Sequence, residues 1–314
     1  MVQAVLRIIK AEYLRVTRKP FFYVVPMVAL FVVIPKMIRA YNHAVALHNK
    51  TLALPPGVPP PPGWGADLTT LLHWFRWENL PTVAGASLLA GWGIALFAYT
   101  GAAWFGDDLS TGVIKQVAVL RERLMTVILG KALALVLYVT AVLTLTVLGA
   151  VIATLFLPDV PGREVGALFS ATSMRNIAVY TGIALLWAFF AAAVTLATNS
   201  ALLGAVAGIL WVTVETVTLI AGNSPLQLFA AKVAPWSTCQ SLLASACDRF
   251  SWVANGQPHL WVMWVTAPPF TRTVEGGVFK IYLLPFTYLL AMLGVYLLAA
   301  AVVVLKGYCW RASK

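Results

Sequence analysis

The apolar run of residues 177–221 reads IAVYTGIALLWAFFAAAVTLATNSALLGAVAGILWVTVETVTLIA. It is more than twice as long as the roughly 20 residues with which a helix crosses about 30 Å of hydrocarbon. A polar triplet, Thr198-Asn199-Ser200, interrupts it. The run therefore predicts a tight hairpin of two membrane-spanning helices, residues 177–198 and 200–221.

Four further apolar stretches flank this hairpin, at residues 21–41, 84–105, 132–157 and 281–305. Charged residues make up only 11% of the chain, whereas soluble domains carry about 25%. The strands of a membrane β-barrel would show alternating rather than continuous apolar residues. The sequence thus predicts an all-α integral membrane protein with six transmembrane helices in a single domain, residues 1–314.

The segments outside the predicted spans differ in character. Residues 1–20 place apolar and basic side chains on different faces, which predicts an interfacial helix. Residues 42–83, which contain a polyproline run, and residues 222–280, which are rich in Trp and Pro, are expected to be extracytoplasmic. Short interfacial or re-entrant helices are expected before the last span. Residues 106–131 are charged and amphipathic, and we expect them in the cytoplasm.

Basic residues predict the orientation, because Lys and Arg in short loops favour the cytoplasmic side. The short segments on one side carry Arg7, Lys10, Arg15, Arg18, Lys19, Lys115, Arg121, Arg123, Lys131, Lys306, Arg311 and Lys314. Both termini are therefore predicted to be cytoplasmic. The net charge of +11 is scattered through loops, which favours anionic membrane lipids as a partner and not nucleic acid.

The most informative segment is residues 105–133, FGDDLSTGVIKQVAVLRERLMTVILGKAL. It lies between the second and third predicted spans. Asp107, Asp108 and Ser110 are residue types that cap the start of a helix. A short helix along the membrane surface is therefore expected here, in a position to dock into a soluble partner.

This segment resembles the first cytoplasmic loop of the ABC-2 type transporter permeases. The likeness rests on an acidic residue followed by Gly, two basic residues and a Gly-Lys pair, here Asp108, Gly112, Lys115, Arg123, Gly130 and Lys131. Asp stands where Glu is commoner in the family. The N-terminal stretch from Lys10-Ala11-Glu12 to Arg18-Lys19-Pro20 resembles the connecting helix of the same family.

The resemblance implies an exporter subunit of the bacterial inner membrane that moves an amphipathic or hydrophobic compound outward. It implies a dimer with a second permease copy or a paralogue, and two separate ATPase subunits that bind ATP and Mg. The residues it implies in coupling to the ATPase are Glu12, Asp107, Asp108, Gly112, Lys115, Arg121, Glu122, Arg123 and Lys131. No cofactor is expected in this chain, because Gly130-Lys131-Ala132 lacks the other residues of a P-loop.

Glu215 lies within the fifth predicted span, where an ionisable group needs a partner or a water-filled path. One interpretation places Glu215, with Trp211 and Trp236, on a substrate or ion path. The alternative is a Glu that is hydrogen-bonded to Thr residues such as Thr213 or Thr218. In the same span, Gly204 and Gly208 form a GxxxG pair, which favours close helix packing within the chain or at a dimer seam.

Cys239 and Cys247 both fall on the predicted oxidising side, so we expect a disulfide between them, whereas Cys309 is predicted to be cytoplasmic and reduced. The four His residues have no metal-ligand spacing, and no catalytic constellation is visible in the sequence. Two rival functions remain open at this point. They are a membrane-embedded enzyme acting on lipid carriers and an ATP-independent channel or sensor subunit.

Overall fold

A computed structural model describes residues 2–55, 68–89, 92–112, 124–220, 233–246, 271–274, 278–281 and 286–312. Its elements in chain order are α1 (Val2–Val16), α2 (Phe21–Leu52), α3 (Leu68–Leu71), a 3-10 turn (His73–Phe75), α4 (Leu80–Leu89), α5 (Trp92–Ser110), α6 (Leu124–Leu155), a second 3-10 turn (Val165–Phe169), α7 (Ala171–Thr198), α8 (Ala201–Ile220), α9 (Pro235–Ala246), β1 (Thr271–Val274), β2 (Val278–Ile281) and α10 (Phe286–Ala312).

Four of the described helices are long and apolar enough to cross a membrane, as expected of a membrane-embedded protein. They are α2, α7, and the stretches Met125–Leu155 of α6 and Phe286–Arg311 of α10. A fifth span results if the bent pair α4 and α5 is counted as one crossing. The remaining candidate is α8, in which the described apolar part is the shorter stretch Ala201–Glu215. The count of six spans stays a prediction.

The predicted span 84–105 is broken in two. Its residues belong to α4 and α5, whose axes differ by 73°. Gly93 lies so close to the Leu88 carbonyl that a Cβ would overlap it, so the chain turns sharply where only Gly fits. All ten residues of α4 are buried, and Lys36 of α2 donates from Nζ to the Ser87 carbonyl across 2.8 Å. The Lys36 ammonium thus caps the C-terminal end of α4.

The two longest helices, α2 and α6, are longer than their predicted spans. Both α2 and α6 have 32 residues, or about 48 Å at 1.5 Å per residue, against about 30 Å of hydrocarbon. Helix α2 continues to Leu52, well into the segment 42–83 that we expected to be extracytoplasmic. The hydroxyl of Tyr41, the last residue of the predicted span, donates to the Pro158 carbonyl across 3.0 Å. This contact joins the second half of α2 to the loop that follows α6.

Small residues bring α5, α7 and α8 together. Asn199 ends α7 with a left-handed backbone, φ 58°, and α8 begins two residues later. A Cβ on Gly204 would overlap the Thr195 side chain of α7, and a Cβ on Gly208 would lie 2.8 Å from the Ala98 Cβ of α5. Both glycines of the GxxxG pair therefore serve packing within the chain.

The described part of the predicted outer segment 222–280 contains one helix and one hairpin. The helix is α9, which packs against α7, α8 and α10. Strands β1 and β2 pair antiparallel, with Thr271 opposite Ile281 and Val274 opposite Val278. We expected only short helices in this segment, and the rest of the described chain is predominantly helical.

Candidate functional site

The end of α5 and the beginning of α6 are joined by an ion pair. The Lys131 ammonium lies 2.8 Å from Oδ2 of Asp108, and each side chain is 1% exposed. The same ammonium lies 3.3 Å from Oε2 of Glu12 on α1. Lys131 therefore contacts carboxylates from two other helices, which a buried ammonium requires to offset its lost hydration.

Arg15 is the second cation of the cluster. One of its terminal nitrogens donates to Asp108, and the other donates to Oε2 of Glu12 across 2.7 Å. Burial alone would lower the pKa of Arg15, but the carboxylates of Asp108, Glu12 and Asp107 outweigh it and raise that pKa above its ordinary value. Arg15 therefore stays charged across the physiological pH range.

The edge of the cluster lies nearer to solvent. Asp107 accepts a hydrogen bond from the Lys19 ammonium across 2.9 Å, and its other oxygen lies 3.5 Å from Nη1 of Arg15. The Lys19 side chain is 40% exposed. Three carboxylates and three cations thus meet here, so the formal charge of the group is balanced.

A fourth helix joins the cluster through a neutral group. The hydroxyl of Tyr308 on α10 donates to Oδ2 of Asp108 across 3.1 Å, and Tyr308 is fully buried. One turn further along α10, Arg311 donates from Nε and Nη2 to the carbonyls of Leu196 and Ala197 at the end of α7. The ends of α1, α5, α7 and α10 and the beginning of α6 therefore lie at the same end of the bundle.

Two glycines of the charged segment have identifiable roles. Gly112 has φ +69° and lies two residues after Ser110, the last residue of α5, so the chain leaves the helix through a conformation that other residues rarely adopt. A Cβ on Gly130 would lie 2.6 Å from Cγ2 of Ile8. Gly130 therefore lets α1 lie against α6, and this contact places Glu12 within reach of Lys131.

Four of the predicted coupling residues are thus brought together, namely Glu12, Asp107, Asp108 and Lys131. The other charged ones, Lys115, Arg121, Glu122 and Arg123, lie outside the described residues. Arg15, Lys19 and Tyr308 also belong to this site, although the sequence does not predict them there. The i, i+3 spacing of Glu12 and Arg15 was a usable indication, but nothing in the sequence pairs Tyr308 with Asp108.

Glu215 lies in a second polar contact, between α8 and α9, and is 7% exposed. Its Oε2 accepts from the indole nitrogen of Trp211 across 2.8 Å, and its Oε1 accepts from the backbone nitrogen of Ser237 across 2.6 Å. The Thr213 hydroxyl, one expected partner, donates to the Ile209 carbonyl instead. Trp236 is buried beside Trp187, with ring centroids 6.3 Å apart.

The remaining predicted sites are only partly within the described chain. Cys239 is fully buried on α9, and Cys247 lies outside the described residues, so the disulfide stays a prediction. Within the ranges that the structure describes, no group of three or more His, Cys, Asp or Glu side chains is placed to hold a metal ion.

No protein-family model matches the chain, and no curated protein matches it.

Proposed function

We propose that this chain is the permease subunit of an ATP-driven ABC-2 type exporter of the bacterial inner membrane. In this proposal it pairs with a second permease and with two separate ATPase subunits, and an amphipathic or hydrophobic compound moves outward. The observation that carries the proposal is the cluster of Glu12, Arg15, Asp108 and Lys131, in which Asp108 and Lys131 are buried. These two buried residues lie near the two ends of the charged segment 106–131, in which the sequence predicts a docking helix.

The position of that segment supports a mechanical role. It leaves α5 shortly after Asp108 and enters α6 shortly before Lys131, and these two residues form an ion pair. Separating the members of a buried pair leaves unpaired charge and costs about 3–5 kcal/mol. A displacement of the segment is therefore passed to α5 and α6 together, and through Glu12 and Tyr308 to α1 and α10.

Burial separates the predicted coupling residues into two kinds, those that hold the segment in place and those that contact the ATPase. Asp108 and Lys131 are each 1% exposed, so in this proposal they hold the segment in place and do not touch the ATPase. Direct contact falls to the intervening residues, among which Lys115, Arg121, Glu122 and Arg123 carry the charge. Both kinds of residue are needed for coupling, but for different reasons.

The test uses the permease in proteoliposomes with the ATPase that co-purifies with it from its native membrane. We expect Lys115→Ala with Arg123→Ala to weaken ATPase binding at least tenfold while the melting temperature of the permease is unchanged. Lys50→Ala is the control, because Lys50 lies near the end of α2 that is far from the charged cluster, and this variant should bind the ATPase normally. Failure to recover any ATPase, or normal binding by the double variant, would contradict the proposal.

The two rival functions give different results in the same preparation. Solute flux that continues without ATPase and ATP would favour an ATP-independent channel. Chemical conversion of an added lipid carrier would favour a membrane-embedded enzyme. Neither outcome is expected from a permease whose movements are driven by a partner subunit.

A further inference from the structure

A cavity of about 390 Å³ lies among α7, α8, α9 and α10. This volume falls within the range of small-molecule sites in proteins, about 300–1,000 Å³. Its walls are aliphatic and aromatic, and the aromatic ones are Trp187, Phe190, Trp211 and Tyr296. None of its lining residues belongs to the charged cluster, and the coupling proposal makes no use of it.

The aromatic walls are set at steep angles to one another. The rings of Trp187 and Phe190 have centroids 5.9 Å apart and planes at 73°, and those of Phe190 and Trp211 are 5.7 Å apart at 63°. Edge-to-face pairs of this kind cover only part of each ring, whereas parallel stacked rings would cover each other's faces, and all three rings line the cavity. An aromatic face carries partial negative charge and attracts an organic cation.

Glu215 does not line the cavity itself, but its carboxylate contacts Trp211, which does. The indole N–H of Trp211 donates to its carboxylate across 2.8 Å, which pushes electron density into the ring that lines the cavity. The Ser237 backbone N–H holds the second oxygen across 2.6 Å, so the carboxylate keeps its position at the N-terminal end of α9. Trp211 is 46% exposed on the outer surface of the bundle, which gives the cavity a lipid-facing side.

We propose that this cavity binds a lipophilic organic cation, such as a quaternary ammonium or phosphonium compound, that enters laterally from the membrane. The aromatic faces solvate the cation and the Glu215 carboxylate supplies the counter-charge. As a statement about cargo, the proposal rests on the export function proposed above. As a statement about binding, it concerns the permease alone.

The test compares two probes of nearly equal shape and opposite charge. Purified permease in lipid nanodiscs, without ATPase, is titrated with radiolabelled tetraphenylphosphonium and, separately, with tetraphenylborate. We expect saturable binding of the phosphonium and at least tenfold weaker binding of the borate. Glu215→Gln should weaken phosphonium binding about tenfold and leave borate binding unchanged or stronger, because only the charge is removed.

Phe190→Leu is the second variant, because it leaves Glu215 and its hydrogen bonds intact. It should weaken phosphonium binding several-fold, whereas Trp310→Leu, an exposed Trp elsewhere, should bind like the unaltered protein. Phe190→Leu also decides the matter if Glu215→Gln does not fold. Equal binding of both probes, or unchanged phosphonium binding by these two site variants, would overturn the proposal and indicate a groove for lipid acyl chains.

The outcome is independent of the coupling experiment. If the permease binds the phosphonium but no ATPase is recovered with it, the cation site stands and the proposed export function is wrong. If the permease binds its ATPase but does not bind the phosphonium, the proposed export function stands and the assignment of an organic cation as cargo is wrong.

Discussion

Lys131 and Asp108 form an ion pair of 2.8 Å in which each side chain is 1% exposed. The two residues belong to neighbouring helices, and most of the charged segment 106–131 lies between them in sequence. Because the pair is so completely removed from water, loss of either partner leaves a buried unpaired charge and lowers the stability of the folded protein.

Replacing Lys131 by Met should destabilise the permease by about 3–5 kcal/mol, because Asp108 and Glu12 lose a buried cation. The measurement is thermal unfolding in detergent. Lys131→Met combined with Asp108→Asn should be less destabilised than the sum of the two single variants, since the double change removes both charges. Strict additivity would show that the pair does not act as a unit.

Tyr308→Phe removes only the hydroxyl that donates to Asp108, and α10 keeps its packing. Hydrogen bonds to charged groups contribute about 1.5–3 kcal/mol, so we expect a loss of stability of that size in chemical denaturation. Tyr23→Phe is the matched control, because Tyr23 is 56% exposed on α2. A loss no larger than that of the control would contradict a stabilising contact between Tyr308 and Asp108.

Gly130→Val should push α1 away from α6, because even a Cβ at residue 130 lies 2.6 Å from the Ile8 side chain. Overpacking of this kind typically costs about 1–3 kcal/mol. The same change at Gly294, where a Cβ meets nothing within 4 Å, controls for the helix propensity of Val. Ile8→Ala should restore part of the stability of Gly130→Val. Thermal melting of the unaltered protein, the two single Gly variants and the Ile8→Ala, Gly130→Val double variant would detect this rescue.

The predicted sidedness can be tested by labelling. With Cys239, Cys247 and Cys309 replaced by Ala, a Cys introduced at Gln116 should react with a membrane-impermeant maleimide in inside-out vesicles and not in intact cells. A Cys introduced at Asn49, at the far end of α2, should show the opposite pattern. Labelling of Gln116→Cys from outside the cell would remove the basis for docking by a cytoplasmic ATPase.

Some features of this fold follow directly from local sequence. The hairpin turn was expected at Thr198-Asn199-Ser200 because polar residues interrupt an apolar run there, and in the structure Asn199 lies between α7 and α8. Glu12 and Arg15 are three residues apart on one helix, and their ion pair of 2.7 Å is a short-range contact. Such features depend on residues that are close together in the sequence, so the sequence alone predicts them.

Other features depend on contacts between distant residues. The break between α4 and α5 was missed because residues 84–105 are continuously apolar, and the bend depends on the close approach of Gly93 to Leu88 and on the burial of α4. Tyr308 is 200 residues from Asp108, and a Tyr near the end of an apolar helix is equally typical of a membrane interface. Neither the bend at Gly93 nor the hydrogen bond between Tyr308 and Asp108 is predicted by a local sequence pattern.

The complete burial of α4 has a consequence for biogenesis. Its ten residues span about 15 Å, half the thickness of the hydrocarbon, so this helix cannot be inserted as a crossing of its own. One of its polar partners is Asn176, whose amide donates to the Thr82 hydroxyl across 2.6 Å and which is synthesised 94 residues later. The burial of Leu80–Leu89 is therefore completed only after α7 has been synthesised, and assembly of the nascent chain includes a late docking step.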